Sequence, residues 1–325
     1  MTTTRSRPAR AIATGVAAVV ALGVLVAGSV FVLREVVGQL PGEPACTAEV
    51  GDTTVSLDLE QARYAATIAA VSVRRGMPAR AASIALAAAY QESKILNVDY
   101  GDRDSLGLFQ QRPSQGWGSP RQILDPYYST NRFYSALDQV DGYEGLPIDQ
   151  AAQQVQRSAD GSAYAAYEPD ARALASALTG YSPGAFSCEV DEPAATGEQA
   201  GDAGLTPTAE ALRTEVAAAF GRLPAGGFAP GGIRTGHAAG SAHYSGQAID
   251  YFFRPATPAT NRAGWALAQF LVAQADHLSV ATVIFDDRIW TASRSGEGWR
   301  EYDEPDGSGD PDVLRHLDHV HVDVA

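Results

Sequence analysis

The sequence predicts a chain of three parts, a transmembrane helix, a mainly α-helical domain and an α+β domain. One uncharged apolar run lies near the amino terminus, residues 57–178 carry apolar residues at helical spacing, and residues 206–324 mix helical with strand-like patterns. The 325 residues are about twice the length of a typical single domain, which favours two folded units after the apolar run. The apolar fraction of 45% excludes a wholly disordered chain.

The first part is the apolar run of residues 11–33. As a helix its 23 residues would extend about 34 Å, enough to cross a bilayer. The arginines of residues 1–10 precede it without an acidic neighbour, so we expect a cytoplasmic basic tail and a single-pass signal anchor in the plasma membrane. The alternative is a cleaved signal peptide, with the small residues 27–29 as its cleavage site. Both interpretations make everything after the run extracytoplasmic.

Cysteines and charge limit the chemistry of the exported part. Cys46 and Cys188 have no histidine near them in the sequence, which favours an extracytoplasmic disulfide over a metal site or a catalytic thiol. Residues 41–325 carry a net charge of −17, against +3 for residues 1–40 and −14 for the whole chain. Duplex binding needs a basic face, so we expect no nucleic-acid partner.

The boundary between the two folded units is predicted at residues 190–204. This stretch is acidic, rich in small residues and without apolar periodicity, which is typical of a linker. It separates a first domain at 46–189 from a second domain at 205–325. Predicted helices of the first domain are residues 57–75, 78–92, 125–137, 147–157 and 169–178. In the second domain we expect helices at 206–223 and 257–277 and strands at 247–253, 281–285 and 320–324.

All six histidines lie after residue 236, so only the second domain can use imidazole. His243 and Asp250 are seven residues apart, while His319 and His321, two apart on a predicted strand, face the same side. A catalytic zinc ion takes three nitrogen or oxygen ligands and leaves one position open. His243, Asp250 and one of the paired histidines would supply that set, and the zinc would lower the pKa of a bound water.

The pattern Ser241-x-His243-x-x-Gly246-x-Ala248-x-Asp250, followed by His319-x-His321, resembles the LAS-type zinc peptidases, which include D-alanyl-D-alanine carboxypeptidases and dipeptidases. The resemblance covers about the last 95 residues. It implies an α+β metallopeptidase-like fold with zinc bound by His243, Asp250 and His321. It also implies that Asp318 is the general base and that His319 lines the site. Arg234 would stabilise the oxyanion, and Ser241 would bind the substrate.

Two features of this pattern leave alternatives open. Many members of that group carry Glu where this chain has Asp318, and a shorter carboxylate lies farther from the water, so binding without turnover is a second interpretation. A third is a metal-binding protein with a closed site, which needs a fourth protein ligand such as His316.

In the first domain, Glu92 is the candidate catalytic group. At 100° per residue it lies on the same helix face as Ala85 and Ala88, near the end of the predicted helix. Burial there, with the negative end of the helix dipole, would raise the pKa of the carboxyl and keep a proton available for a leaving glycosidic oxygen. A helix-end or surface glutamate is the alternative that the pattern alone leaves open.

Glu92-Ser93, followed by Ser105-Leu106-Gly107-Leu108-Phe109-Gln110-Gln111, resembles the lysozyme-like fold of lytic transglycosylases and goose-type lysozymes. The resemblance implies that Glu92 is the acid/base and that Ser93 and Gln110 bind the glycan. The Ala-Tyr-Asn motif of many transglycosylases is absent, and residues 155–158 and 164–167 occupy that region. A hydrolase needs a second carboxylate, for which Asp99, Asp102 and Asp104 are candidates, whereas a transglycosylase can use groups of its own substrate.

Together these patterns predict an exported, membrane-anchored hydrolase that remodels peptidoglycan. Glu92 would cleave glycan strands, and a zinc-activated water would cleave stem peptides. The alternative from a different class is a cell-wall-binding or scaffold protein that has lost catalysis and retains a zinc site.

Overall fold

The computed structural model describes residues 45–158, 161–304 and 309–325. The predicted basic tail at 1–10 and signal anchor at 11–33 lie outside this part of the chain. Within the described ranges, no helix combines the length and the apolar character that crossing a membrane requires.

The amino-terminal half begins with a small antiparallel sheet that the sequence did not predict. Strands β1 (Ala45–Val50) and β2 (Thr53–Asp58) form a hairpin, and β3 (Phe186–Glu189) pairs with the other edge of β1. The register places Cys46 directly opposite Cys188, and the two are joined in a disulfide. The predicted disulfide is therefore confirmed.

Helices build the rest of this half, and all five predicted helices are confirmed to within two residues at each end. Asp58 and Gln61 form a reciprocal capping box that starts the first helix. The second helix is buried from Ala81 to Tyr90, because its alanines let neighbouring helices approach closely on every side. The helices are α1 (Leu59–Arg74), α2 (Ala79–Ser93), α3 (Pro120–Ile123), α4 (Pro126–Leu137), α5 (Ile148–Gln156) and α6 (Glu168–Leu178).

The carboxy-terminal half is built on a six-stranded antiparallel sheet in the order β4-β5-β9-β6-β7-β8. Its strands are β4 (Ala225–Gly226), β5 (Ala248–Phe252), β6 (Val280–Phe285), β7 (Arg288–Thr291), β8 (Arg300–Glu301) and β9 (His319–Val324). Its helices are α7 (Pro207–Phe220), α8 (Pro258–Ala273), α9 (Ala275–Leu278) and α10 (Pro311–Leu314). The three predicted strands are confirmed, whereas the predicted helix at 257–277 is interrupted at Gln274.

The two halves pack against each other, with α1 of the first half against α8 of the second. Gln269, a fully buried side chain of α8, forms hydrogen bonds across this contact. Its amide donates to the carbonyl of Ala177 at 2.6 Å and accepts from the backbone N–H of Phe186 at 2.8 Å. Residues 190–204 contain no helix or strand, and the described residues belong to one compact unit. The division into domains at 46–189 and 205–325 stays a prediction.

Candidate functional site

Three elements of the carboxy-terminal half bring the predicted metal ligands together. His243 lies in the 3₁₀ helix Ala242–Ser245, Asp250 in β5 and His321 in β9. The antiparallel register sets Asp250 directly opposite His321. Asp250 Oδ1 lies 3.1 Å from His321 Nδ1 and 3.2 Å from His243 Nε2, and the two ring nitrogens are 3.1 Å apart.

This triangle of atoms has the size that a small metal ion requires. In a tetrahedral zinc site with bonds of about 2.05 Å, ligand atoms lie about 3.3 Å from one another. The neighbouring Gly227 carbonyl fixes one imidazole, because His243 Nδ1 lies 2.9 Å from this oxygen, which can only accept. The proton is therefore on Nδ1, and Nε2 keeps its lone pair toward Asp250. The residues present fit a divalent metal ion.

The charges of the residues in this triangle also favour the binding of a cation. Burial raises the pKa of the Asp250 carboxyl, but the neighbouring imidazoles of His243 and His321 outweigh it and hold that pKa below its ordinary range. Burial lowers the pKa of His321, yet the carboxylates of Asp250 and Asp323 raise it to about 9. Without a metal, the site therefore holds a proton between His321 and the carboxylates. A metal ion would replace that proton.

A further candidate metal ligand, His237, was missed by the sequence reasoning. His237, His243 and Asp250 each place one ligand atom within 4.8 Å of the others. The His237 ring stacks on that of His243 with centroids 3.9 Å apart. The spacing of six residues between the two histidines, in a glycine-rich stretch, was the available signal. It matched no strand or helix period, because the intervening chain is a loop.

The predicted base, Asp318, is buried and held by two partners. Its Oδ1 lies 2.7 Å from His319 Nδ1, and its Oδ2 accepts from the guanidinium of Arg254. The other ring nitrogen of His319, Nε2, lies 3.9 Å from Asp250 Oδ1. His319 and His321 therefore face the same side of β9, as predicted.

The other predicted residues of this half lie around the donors rather than among them. Ser241 Oγ accepts from the backbone N–H of His243 at 3.4 Å and so caps the 3₁₀ helix. Arg234 is exposed, with no hydrogen-bond or ion-pair partner among the described residues, whereas Arg254 was missed and reaches Asp318. The ring of His316 lies 4.6 Å from that of His319, and its Nδ1 is buried without a hydrogen bond among the described residues.

In the amino-terminal half, Glu92 lies half-buried one residue before the end of α2. The hydroxyl of Tyr164 donates a hydrogen bond of 2.6 Å to Glu92 Oε1. Burial, followed by the hydrogen bond with Glu92, raises the pKa of Tyr164, so this hydroxyl keeps its proton. Tyr164 lies in the 3₁₀ helix Gly161–Tyr167, and sequence reasoning gave it no role.

The side chains of Ser93 and Gln110 both donate hydrogen bonds to backbone carbonyls. Ser93 Oγ donates to the carbonyl of Leu108 at 2.8 Å, and Gln110 Nε2 donates to that of Tyr100 at 3.2 Å. Of the three candidate carboxylates, Asp99 and Asp102 are exposed. Asp104 instead accepts from Arg112 Nε at 2.7 Å and from the Ser114 N–H at 2.8 Å, which closes the loop that carries Gln110.

Comparison with known proteins adds one finding. Residues 201–312, about a third of the chain, match the family model described as VldE, C-terminal domain. The match includes His237, His243 and Asp250 and ends before His319 and His321. No curated protein matches the chain.

Proposed function

We propose that this protein is an exported, membrane-anchored peptidoglycan hydrolase with two active sites. The observation that carries the proposal is the triangle of His243 Nε2, Asp250 Oδ1 and His321 Nδ1, whose sides of 3.1–3.2 Å suit zinc. The substrate of this site is a stem peptide, and the reaction is that of a D,D-carboxypeptidase or endopeptidase. The match to a family model over residues 201–312 names no activity for this chain.

When bound, zinc lowers the pKa of a water molecule toward 7 and polarises a peptide carbonyl. The residues around it handle protons. Asp318 fixes the proton of His319 on Nδ1, which leaves Nε2 of the same ring able to accept a proton on the side of Asp250. The ion pair with Arg254 holds Asp318 in place. In this mechanism His319 receives the proton that the sequence assigned to Asp318.

The second active site is at Glu92, which acts as the acid that protonates a leaving glycosidic oxygen. Support comes from its half-buried place at the end of α2 and from the bond to the Tyr164 hydroxyl, which fixes one carboxyl oxygen. Asp104 is bound to Arg112 and Ser114, so no second carboxylate of this loop is free and buried beside Glu92 in the described part of the chain. This arrangement favours the substrate-assisted reaction of a lytic transglycosylase.

A scaffold that binds the cell wall without turnover is the second candidate. The observation that favours it is the occupation of both oxygens of Asp318, one by His319 and one by Arg254. Each oxygen of Asp318 therefore has only its remaining lone pair to offer to a water molecule. Under this interpretation the zinc site stabilises the carboxy-terminal half and cleaves nothing.

Digestion of purified peptidoglycan separates the two candidates. The full-length chain, purified in detergent and loaded with zinc, is compared with Glu92→Gln and His243→Ala, and products are identified by mass spectrometry. Anhydro or reducing disaccharides lost only in Glu92→Gln, and trimmed stem peptides lost only in His243→Ala, are the expected results. The exposed Glu144→Gln and His277→Ala serve as matched controls. Release of neither product by the unaltered chain would favour the scaffold.

A further inference from the structure

A second carboxylate, that of Asp323, lies beside the metal donors on β9. It follows His321 by two residues, so the two side chains share one face of the strand. Asp323 Oδ2 lies 3.5 Å from His321 Nε2. The other nitrogen of that ring, Nδ1, lies 3.1 Å from Asp250 Oδ1 and 3.1 Å from His243 Nε2. The His321 imidazole therefore lies between the donor triangle and the carboxylate of Asp323.

The surroundings of Asp323 leave its charge with one partner. Only 19% of its side chain is exposed, because β9 runs between β5 and β6 and pairs Asp323 with Ala248 on one side and Thr282 on the other. Among residues 45–158, 161–304 and 309–325, its carboxylate has no ion pair or side-chain hydrogen bond other than the contact with His321. A charge covered to this extent is costly unless it is paired. The contact with His321 supplies the pairing.

The use of Nδ1 as a metal donor requires an acceptor on the other side of the His321 ring. A neutral imidazole carries its proton on one of its two nitrogens, and only the other nitrogen can bind a metal ion. At His243 the proton is on Nδ1, against the Gly227 carbonyl, and Nε2 faces the donor triangle. At His321 the roles are exchanged, so its proton must be on Nε2, the nitrogen that faces Asp323.

We propose that Asp323 is a positioning residue of the metal site, which accepts the Nε2 proton of His321 and so turns the Nδ1 lone pair toward the ion. This inference rests on the metal site of the proposed function and adds a residue to it. A carboxylate behind a ligand histidine fixes the orientation of the ring and makes the ligating nitrogen more basic. Asp323 itself contacts neither the ion nor the substrate, because it acts through His321.

The test begins with the zinc affinity of the full-length chain in detergent, measured by chelator competition. Asp323→Ala is expected to weaken binding about tenfold or more, because partners of this kind contribute about 10- to 100-fold to affinity. Asp323→Asn keeps the size of the side chain and an oxygen that can accept a proton, so a smaller loss is expected. The matched control is Asp276→Ala, which removes an exposed carboxylate of α9 and should leave the affinity unchanged.

Proton NMR of the chain saturated with Co²⁺ separates positioning from a general effect on the sheet. The paramagnetic ion shifts the ring N–H protons of its two ligand imidazoles, His243 and His321, far from all others. Both signals are expected in the unaltered chain. In Asp323→Ala the His321 proton loses its acceptor and should exchange faster with solvent, while the His243 proton stays on the Gly227 carbonyl and keeps its signal.

Three results would overturn the role of Asp323 while the three-ligand site stands. They are unchanged affinity in Asp323→Ala, an affinity of Asp323→Asn no higher than that of Asp323→Ala, and equal changes in both N–H signals. The last result would mean that the substitution distorts the sheet around both ligands. Failure of the unaltered chain to bind zinc or Co²⁺ would instead overturn the metal site of the proposed function, and this inference with it.

Discussion

At the scale of single residues, the orientation of His243 depends on a glycine that touches it. A Cβ on Gly227 would lie 2.3 Å from His243 Cε1, 2.4 Å from its Nδ1 and 3.0 Å from Asp250 Oδ2. The imidazole could keep its place only if the backbone of residue 227 moved, which would also displace the carbonyl that holds Nδ1. The metal site therefore requires glycine at this position.

We expect Gly227→Ala to weaken zinc binding about tenfold or more, because partners that orient a metal ligand typically contribute 10- to 100-fold to affinity. Chelator competition measures this effect. Gly231→Ala is the matched control, since Gly231 has φ of 80° against 79° for Gly227 but a Cβ there meets no atom within 4 Å. Both variants carry the same backbone strain, so equal losses of affinity in the two would show that the contact with His243 has no effect.

Among the elements, β5 and β9 explain which parts of the metal site could be predicted. The period of two along a strand predicted that His319 and His321 share a face, and the motif spacing pointed to His243 and Asp250. The convergence itself depends on the pairing of Asp250 with His321 across two strands separated by 67 residues of chain, counting from Phe252 to His319. His237 and Arg254 reach the site from loops, whose paths no periodic pattern reveals.

Helices were predicted more completely than strands, for a physical reason. Apolar spacing over 9 to 16 residues is a strong signal, and the five long helices of the first half carry it. Strands β4 and β8 have two residues each, too short for any alternation to be recognised. β1 and β3 are held together by pairing and by the Cys46–Cys188 disulfide. These strands are far apart in the sequence, so no local sequence pattern predicts that they pair.

In the loop of residues 104–114, which carries Gln110, the stability contributed by Asp104 should depend on pH. Hydrogen bonds from Arg112 and then Ser114 lower the pKa of Asp104 below its ordinary range. The stability that this carboxylate contributes is thus present above the unfolded pKa of about 4 and is lost as the pH falls toward the lower pKa of the folded state. Asp104→Asn should lower the Tm most at neutral pH, with the difference shrinking below about pH 4.

Thermal unfolding of both chains from pH 7 to pH 3 measures the Asp104 effect. Asp102→Asn is the control, because Asp102 is exposed and lies 3.8 Å from its nearest cation, Arg103. A Tm difference between Asp104→Asn and the unaltered chain that stays constant across this range would contradict the assigned role of the Asp104 charge.

On the scale of the whole molecule, Gln269 links the two halves. Its removal would leave the Ala177 carbonyl and the Phe186 N–H buried without partners, at a cost of about 1–3 kcal/mol for each group. We therefore expect Gln269→Ala to lower the free energy of unfolding by about 3 kcal/mol, measured by denaturant titration. The control is Gln199→Ala at an exposed glutamine. A Gln269→Ala chain as stable as that control would show that the link contributes nothing.

The same contact predicts what happens when the chain is cut between the halves. Residues 190–204 form no helix or strand, so a protease site inserted there should be cleaved without disturbing either half. The disulfide does not join the products, because Cys46 and Cys188 both lie before the cut.

Packing of α1 on α8 and the bonds of Gln269 should nevertheless keep the two fragments together through gel filtration in detergent. Gln269→Ala should make them separate more readily. Fragments of the unaltered sequence that elute apart would instead mean that the halves act as independent domains on a linker.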